Sequence, residues 1–240
     1  MNIDFHAHLL PGMENGAKDV DTAIKILEKE VHDNIDIVIA TPKDNPDVQS
    51  VEDFLKERDD SYTKLITTIC GMEIPSIKLG AEVQYSPKLL SMDNLVDLCI
   101  EGTNYLLLEL PHVQFNTKLT EEISELAYNK GITPIISHVD DYLRYTSIES
   151  LEEILDLDVL GQVNASSFVD KDKRKIAFKL ISDNYIPIIG SGANDTESNP
   201  ALMKEAEDVI YKKLSRKLYG DFMENAKLVL YNRKIEDILL

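Results

Sequence analysis

The sequence predicts an α/β protein whose parallel strands form a sheet that is closed, or nearly closed, into a barrel. Short apolar segments with strand character alternate with amphipathic segments of helical periodicity about seven times along the chain. No segment rich in Gly, Ser or Pro divides the 240 residues, and this length suits one large α/β domain. We therefore expect a single domain that spans residues 1–240.

Seven segments have the composition of short buried strands and are bounded by turn or helix signals. They are Asn2–His6, Asp36–Ala40, Ile77–Glu82, Tyr105–Leu110, Thr133–Ser137, Val159–Asn164 and Ile186–Ser191.

The segments between most of these strands show helical periodicity. The first stripe is Val20, Ile24, Leu27 and Val31, with Asp19 or Asp21 as the candidate cap. A second stripe is Leu119, Ile123, Leu126 and Ala127, introduced by Thr120 and closed by Gly131. Leu151, Ile154 and Leu155 make a shorter one. We also expect the acidic segment 44–68 to be an exposed helix, and two helices within 201–240, where Leu214, Leu218 and Phe222 share a stripe.

Composition excludes several classes of function. The net charge of −18 disfavours nucleic acid and anionic membranes as partners. Cys70 and Cys99 are isolated, so we interpret them as small buried apolar residues rather than a disulfide or a thiolate metal site. The sequence shows neither a secretory signal nor an apolar run long enough to span a membrane, so we expect a cytoplasmic protein without membrane insertion.

The first strand ends in a His-x-His motif. In a strand, residues i and i+2 point to the same side, so His6 and His8 present two imidazoles in one direction. Two imidazoles at this spacing can bind one Zn, Mn or Fe ion. The alternative is an ordinary polar strand end.

Further polar residues follow or end the other predicted strands, and in a barrel of this kind the functional groups gather at the carboxyl ends of the strands. They are Lys43, Glu82, Glu109, His138 and the stretch 192–195. Imidazoles and carboxylates that converge on one rim suit a site for two divalent ions with a bridging carboxylate.

Each of these residues also has a structural interpretation. Glu109 lies in an apolar strand, where a carboxylate is costly unless it binds metal or forms an ion pair. His138 is either a ligand or a hydrogen-bonded core histidine. His32 belongs to the first helix and is interpreted as structural, whereas for His112, close to the rim, both interpretations stay open.

With these residues assembled, the chain resembles the manganese-dependent protein-tyrosine phosphatases of bacterial capsule and exopolysaccharide operons, which belong to the polymerase-and-histidinol-phosphatase (PHP) superfamily. The matching segments are 4–12, 16–19, 40–42, 108–111, 134–138, 162–167, 224–226 and 232–233. The resemblance implies a distorted seven-stranded β/α barrel, a hydrolase of phosphomonoesters, and metal ligands at His6, His8, Glu82, Glu109 and His138. It implies manganese as the metal, with zinc and iron as alternatives.

The resemblance also shows departures from the family's pattern of three metal ions. Gly192 stands where a late Asp ligand is expected, and Glu14, Lys43 and Asn194 stand at the ligand positions of the third ion. We therefore expect one or two ions. Lys43 is interpreted as a cation that replaces part of the third ion's charge and steadies phosphate.

A further departure concerns the binding of phosphate. An arginine that the resemblance assigns to phosphate is replaced by Asp141, and Arg144 is the residue expected to reach back in its place.

Two functions follow from these observations. The first is hydrolysis of phosphotyrosine on a protein, for example the tail of a bacterial tyrosine kinase. The second is a non-catalytic relative that binds such a tail or a partner from the polysaccharide machinery. Histidinol-phosphate or polymerase-type chemistry fits less well, because the segments 16–19 and 138–142 look closer to the tyrosine phosphatases. The sequence leaves the oligomeric state open.

Overall fold

The structure is a computed structural model that describes residues 1–238, so residues 239–240 of the expected domain lie outside the described part. Within 1–238 it has nine β-strands and eight α-helices. The strands are β1 (Ile3–Ala7), β2 (Ile37–Ala40), β3 (Lys43–Asp44), β4 (Ser76–Leu79), β5 (Glu82–Gln84), β6 (Tyr105–Glu109), β7 (Thr133–Ile136), β8 (Leu160–Asn164) and β9 (Ile188–Gly190). The helices are α1 (Val20–His32), α2 (Val51–Thr68), α3 (Thr117–Asn129), α4 (Ile148–Leu155), α5 (Ser166–Val169), α6 (Lys171–Ser182), α7 (Met203–Lys213) and α8 (Arg216–Leu230).

The strands form two parallel sheets. β1, β2 and β4 make a three-stranded sheet, and β3, β5, β6, β7, β8 and β9 make a six-stranded one. Residues 41–42 separate β2 from β3, and residues 80–81 separate β4 from β5, so each pair of strands passes from one sheet to the other. The backbone N–H of Glu82 donates to the carbonyl of Pro42 at 3.0 Å across this passage. The predicted parallel α/β class is confirmed.

The two sheets also meet between β1 and the chain that follows β9. Ala7 and Ala193 form a parallel bridge, and the N–H of Gly192 donates to the carbonyl of His6 at 2.6 Å. β1 has one extra residue here, since Asp4 pairs with Val38 but Ala7 pairs with Ala40. Such a bulge bends a strand and redirects its side chains, and it lies at the His-x-His motif.

Each of the seven predicted strand segments overlaps a strand, with two differences. The segment Ile77–Glu82 is interrupted at residues 80–81, so it divides into β4 and the start of β5. The short strand β3 was not predicted, because Lys43 and Asp44 are polar and follow Pro42, which has no N–H to donate to a ladder. Apolar periodicity gives no signal for a strand of this kind.

Helix capping confirms one prediction and corrects another. Asp19 caps α1, since its side chain accepts from the N–H of Thr22 at 2.8 Å. α3 begins earlier than predicted, because Asn116 accepts from the N–H of Leu119 at 3.0 Å and acts as the cap. Thr120 therefore lies inside the helix, and its assignment as the start was wrong.

Three further expectations need correction. The acidic helix covers Val51–Thr68 rather than the whole of 44–68, because Ser50 caps it through the N–H of Asp53. Leu214 follows the end of α7 and is 39% exposed, so it does not share a stripe with the buried Phe222 of α8. Cys70 is exposed, whereas Cys99 is buried as expected.

The core divides along the two faces of the strands. Ile3, Phe5, Tyr105 and Leu107 belong to a cluster that α8 closes with Val229. The alternate residues Leu106 and Leu108 belong to the larger cluster between the strands and the surrounding helices. Strands that are covered on both faces consist of continuous apolar residues. This composition is the reason why the strands could be predicted from the sequence. Across the described chain, every helix is too short or too polar to cross a lipid bilayer.

Candidate metal centre

The polar side chains at the carboxyl ends of the strands converge on Glu82, the first residue of β5. Its side chain is 2% exposed. Its carboxylate oxygens lie 3.8 Å from His6 Nε2, 3.4 Å from His8 Nε2 and 2.8 Å from His138 Nε2. Three imidazoles from two distant parts of the chain therefore surround one buried carboxylate.

His6, His8 and Glu82 form a group that could hold a metal ion. One ligand atom from each lies within 4.8 Å of the others, and all three residues are buried. The rings of His6 and His8 have their centroids 4.8 Å apart, and those of His6 and His138 lie 5.5 Å apart. The expectation that the paired histidines, Glu82 and His138 meet at one place agrees with these distances.

Thr41 fixes the orientation of the His6 ring. Thr41 Oγ1 lies 2.6 Å from His6 Nδ1 and donates to the carbonyl of Ala7 at 3.5 Å. Since the hydroxyl proton is directed to Ala7, we infer that His6 Nδ1 carries the proton and donates to Thr41. His6 Nε2 then presents its lone pair toward Glu82, which is the arrangement typical of a metal-ligating histidine.

His138 has an unusual backbone conformation that the surrounding residues hold in place. Its φ of +37° lies in the left-handed region, which costs energy for a residue other than glycine. Gln162 of β8 accepts from the N–H of His138 at 3.0 Å, and Ser137 Oγ lies 3.1 Å from its Nε2. Gln162 is itself held by Asn164, to which it donates at 3.0 Å. This backbone turn directs His138 back over the end of β7 toward Glu82.

Burial and charge oppose each other in this cluster. Burial would raise the pKa of Glu82, but its interactions with the imidazoles of His138, His6 and His8, including a hydrogen bond with His138, outweigh burial and hold that pKa well below its usual range. Burial would lower the pKa of His138, but Glu82 and then Glu109 and Asp141 raise it to about 9. For His6, burial dominates and lowers the pKa. The protein without metal thus pairs an ionised Glu82 with a protonated His138.

The residues present fit a divalent ion. His6 Nε2, His8 Nδ1 and His138 Nδ1 are buried and have no hydrogen-bond partner among residues 1–238. Neutral imidazole nitrogens beside a buried carboxylate are borderline-hard donors that suit Zn, Mn or Fe. The His6 Nε2 atom faces Glu82, as do the Nε2 atoms of His8 and His138. A divalent ion beside Glu82 would satisfy His6 Nε2, and it would replace the proton on His138 as the charge that compensates Glu82.

Glu109 takes a different partner from Glu82. Its Oε2 lies 2.6 Å from Lys43 Nζ, and both side chains are largely buried, at 9% and 15% exposure. Lys43 follows the carboxyl end of β2 and Glu109 ends β6, so both lie at the same rim as the histidines. The geometry joins these two residues in an ion pair, and the assignment of Glu109 as a bridging ligand stays a prediction.

Comparison with known proteins identifies the family. The model of the family described as capsular polysaccharide synthesis, CpsB/CapC, matches residues 2–231. The chain belongs to this family. Relatives with 97% of this chain aligned include the tyrosine-protein phosphatase YwqE of Bacillus subtilis, 27% identical with 93% of its length covered. The tyrosine-protein phosphatase CpsB of Streptococcus agalactiae serotype III is 23% identical, with 100% of its length covered.

Solved structures show the same fold. A structure from a study of YwqE from Bacillus subtilis and CpsB from Streptococcus pneumoniae, described as metal-dependent tyrosine phosphatases, matches with a TM-score of 0.81. It is 24% identical, and the match covers 97% of this chain and 95% of that one. Histidinol phosphate phosphatase from Lactococcus lactis matches with a TM-score of 0.54 at 11% identity, over 88% of this chain and 93% of that one.

Asp141, one of the positions at which the sequence departs from the family's expected pattern, forms a charged group with Lys173 and Arg144. Asp141 Oδ1 lies 2.9 Å from Lys173 Nζ of α6 and 3.7 Å from Arg144 Nη2. The side chain of Arg144 is 62% exposed. Asp141 is linked to the metal centre through its own N–H, which donates to the carbonyl of His138 at 2.9 Å. Arg144 is therefore an exposed partner of Asp141, and its contact with phosphate stays a prediction.

The stretch 192–195 contributes no carboxylate to the group of metal-binding side chains found within 1–238. Gly192 has a φ of +66°, and a Cβ there would lie 2.8 Å from the Asn164 amide. Asn194 donates to the carbonyl of Asn15 at 2.9 Å. Asp195 accepts from the N–H of Glu197 at 2.7 Å, so its carboxylate is engaged within its own turn.

Sequence reasoning missed the residues that support the ligands. Thr41 and Gln162 orient His6 and His138, although the segments that contain them had been noted for their resemblance to the family. Lys173 was also missed, because it lies on a helix far along the chain from Asp141. A hydroxyl or amide side chain at the end of a neighbouring strand was the available signal for Thr41 and Gln162.

Proposed function

We propose that this protein is a metal-dependent phosphomonoesterase that hydrolyses phosphotyrosine on a protein substrate. The observation that carries the proposal is the convergence of His6, His8 and Glu82 at one buried point, with His138 at 2.8 Å from Glu82. Family membership and the names of the relatives support the substrate class.

We also propose that the two sheets together make the distorted seven-stranded barrel of the PHP superfamily, in one domain of residues 1–240. Two features support this. Strand pairing passes from one sheet to the other at residues 41–42 and 80–81, and the bridge between Ala7 and Ala193 joins β1 to the end of β9. Such closure places the ends of all strands at one rim.

In the proposed site, His6, His8 and Glu82 hold a divalent ion, and His138 joins them once it has lost its proton. Glu109 is proposed as a further ligand. The ion, when bound, supplies Lewis-acid charge beside the phosphate. We propose manganese on the strength of the resemblance, with zinc and iron as alternatives because imidazole and carboxylate donors suit all three. The site takes one or two ions.

Lys43 and Arg144 are the residues proposed to hold phosphate. The Lys43 ammonium has three N–H donors, and one of them is directed to Glu109 at 2.6 Å. The others remain for phosphate oxygens, so Lys43 orients the ester and neutralises charge on it. Arg144 adds a second cation at the rim. These positive charges matter because the chain as a whole carries a net charge of −18, which repels an anionic substrate.

The proposed physiological substrate is a phosphotyrosine tail, such as that of a bacterial tyrosine kinase. Cytoplasmic residence stays a prediction from the sequence. The alternative of a non-catalytic binding protein corresponds to a definite outcome of the experiment below, in which the protein holds metal and phosphotyrosine but releases no phosphate.

The proposal is tested by measuring metal content and phosphate release together. The purified protein is loaded with manganese, zinc or iron, its metal is counted by elemental analysis, and phosphate release from a phosphotyrosine peptide is followed. We expect bound metal and hydrolysis. In Glu82→Gln, which keeps the size of the side chain but removes its charge, we expect kcat/KM to fall by about 100-fold or more.

The matched control is His32→Ala. The side chain of His32 is 79% exposed on α1, and its ring nitrogen pairs with Asp33, so its loss should change neither metal content nor phosphate release. Equal phosphate release by Glu82→Gln and the unaltered protein would contradict the proposal. Circular dichroism of each variant distinguishes loss of the site from loss of the fold.

A further inference from the structure

An exposed pair of aromatic rings lies beside the candidate metal centre. His112 and Tyr145 stack with their centroids 4.9 Å apart and an interplanar angle of 23°. His112 is exposed, and Tyr145 is 43% exposed. We call His112 and Tyr145 the aromatic platform. Each lies shortly after an element that ends at the rim, since His112 follows β6 and Tyr145 follows the 3₁₀ helix Val139–Arg144.

The aromatic platform is held in place from below and from the side. The buried ring of Tyr142 lies under it, with its centroid 5.8 Å from that of His112. Thr146 Oγ1 accepts from the N–H of Phe115 and from the side-chain amide of Gln114, both at 3.1 Å. The loop that carries His112 and the loop that carries Tyr145 are therefore tied to each other by hydrogen bonds.

Tyr142 also links the aromatic platform to the metal centre. Its hydroxyl accepts from the N–H of Leu110 at 2.8 Å, directly beside Glu109. Burial raises the pKa of Tyr142, and the nearby carboxylates of Glu109 and Glu82 raise it further. The hydroxyl end of Tyr142 therefore lies at the backbone of Leu110, next in the chain to Glu109, while its ring supports His112 of the platform. Tyr142 thus contacts both the platform, through His112, and the chain directly after Glu109.

We propose that the aromatic platform stacks against the ring of an aryl phosphate ester whose phosphate lies at the metal centre. This inference rests on the proposed function and names the residues that make the site prefer aryl over alkyl esters. Rings that are flat, exposed and preorganised stack on another ring with little loss of conformational freedom.

Stacking of this kind contributes a modest and measurable preference. An aromatic pair changes an equilibrium or a barrier by roughly threefold to tenfold beyond the area that it buries. Removal of the two rings of the platform should therefore weaken the binding of aryl ligands by that factor. Alkyl ligands, which carry the same phosphate but no ring, should be unaffected.

The experiment compares the manganese-loaded protein with the double variant His112→Ala/Tyr145→Ala. Binding of phenylphosphonate and of methylphosphonate is measured by calorimetry, because neither ligand can be hydrolysed at its P–C bond. We expect the double variant to bind phenylphosphonate roughly threefold to tenfold more weakly and methylphosphonate unchanged. The ratio of kcat/KM for phenyl phosphate to that for ethyl phosphate should fall by the same factor.

Tyr128→Ala is the matched control, because Tyr128 is an exposed aromatic residue of α3 with 86% exposure. It should leave both binding constants unchanged. The inference is overturned if the double variant binds both phosphonates as the unaltered protein does, if it loses both equally, or if neither phosphonate binds to the unaltered protein. Selective binding of phenylphosphonate without phosphate release would support the platform and contradict the proposed hydrolysis.

Discussion

At the scale of single residues, the close approach of β9 to β1 depends on Gly190. A Cβ built at this position would lie 2.6 Å from both the backbone N and the Cβ of His6. Real Cβ atoms do not approach other heavy atoms so closely, and the obstacle here is backbone rather than a flexible side chain. The absence of a side chain at Gly190 thus allows β1 to present His6 to Glu82.

Gly190→Ala should therefore damage both the fold and the site. We expect the free energy of unfolding, measured with urea, to fall by roughly 1–3 kcal/mol through overpacking. Displacement of His6 should also weaken metal binding, measured by titration with manganese.

Gly220→Ala is the control for Gly190→Ala. Gly220 lies inside α8 with nothing within 4 Å of a built Cβ, so alanine should raise the free energy of unfolding by about 0.5–1 kcal/mol. A Gly190→Ala protein as stable as the unaltered one would disprove the steric argument.

At the scale of elements, the start of α3 illustrates how capping decides a helix boundary. The sequence contains two candidate N-terminal residues, Asn116 and Thr120. The side chain of Asn116 accepts from the N–H of Leu119 at 3.0 Å, so Asn116 satisfies a donor that the first turn leaves free. Thr120 then lies within the helix, where a β-branched residue has no capping role.

Asn116→Ala should lower the free energy of unfolding by about 1 kcal/mol, because it removes this cap. Thr120→Ala should change it by less than about 0.5 kcal/mol, since alanine suits a helix interior at least as well as threonine does. Urea unfolding of the two variants measures both values. A larger loss of stability in Thr120→Ala than in Asn116→Ala would indicate that Thr120, and not Asn116, caps the helix.

At the scale of the whole molecule, a pair of buried carboxyl groups makes stability depend on pH. Asp4 of β1 and Glu30 of α1 are both 0% exposed. Asp4 accepts from Ser191 N and Ser191 Oγ, both at 2.6 Å, and from His6 N at 3.2 Å. Burial raises the pKa of Glu30 well above its usual range, and the charge of Asp4 raises it further. We infer that Asp4 keeps its charge and Glu30 keeps a proton in the folded protein.

The sign of the effect follows from where Glu30 loses that proton. Its usual value is 4.5, so at higher pH the unfolded chain binds fewer protons than the folded protein does. The contribution of Glu30 to the free energy of unfolding must then fall as the pH rises above 4.5 toward the raised pKa, by at most about 1.4 kcal/mol per pH unit.

Glu30→Gln should remove this part of the pH dependence. We expect the unaltered protein to lose more stability between pH 5 and pH 7 than Glu30→Gln does, as measured by urea unfolding in the presence of a chelator. Glu28→Gln, which makes the same charge change at an exposed position of α1, is the control and should keep the slope of the unaltered protein. Identical slopes in all three proteins would contradict a protonated Glu30.

Much of the fold was predictable because the burial of an element determines the pattern of apolar residues in its own sequence. Strands such as Tyr105–Glu109 are covered on both faces and are therefore apolar throughout. Helices such as α1 have one covered face and a capping residue at Asp19. The strand β3 could not be predicted, because it is two polar residues long and depends on its neighbour β5 for pairing.

The convergence of His6, His8, Glu82 and His138 was predictable, but the pairings of the charged residues at the rim were not. Histidines and carboxylates at strand ends indicated which side chains meet, since parallel strands end at one rim. The sequence does not record that Glu109 faces Lys43 at 2.6 Å while Glu82 faces the three imidazoles. Such pairing depends on the stagger between strands, which is set by contacts far apart in the chain.

The sequence alone therefore determined the class of fold, the order of its elements and the chemical types gathered at the rim, because periodicity and burial are encoded residue by residue. Only the tertiary structure decided which atoms lie within bonding distance. It revealed the bulge at His6, the left-handed turn at His138 and the close approach at Gly190. These features have a common physical reason. Each is a local conformation that depends on contacts between segments of the chain that meet only after folding.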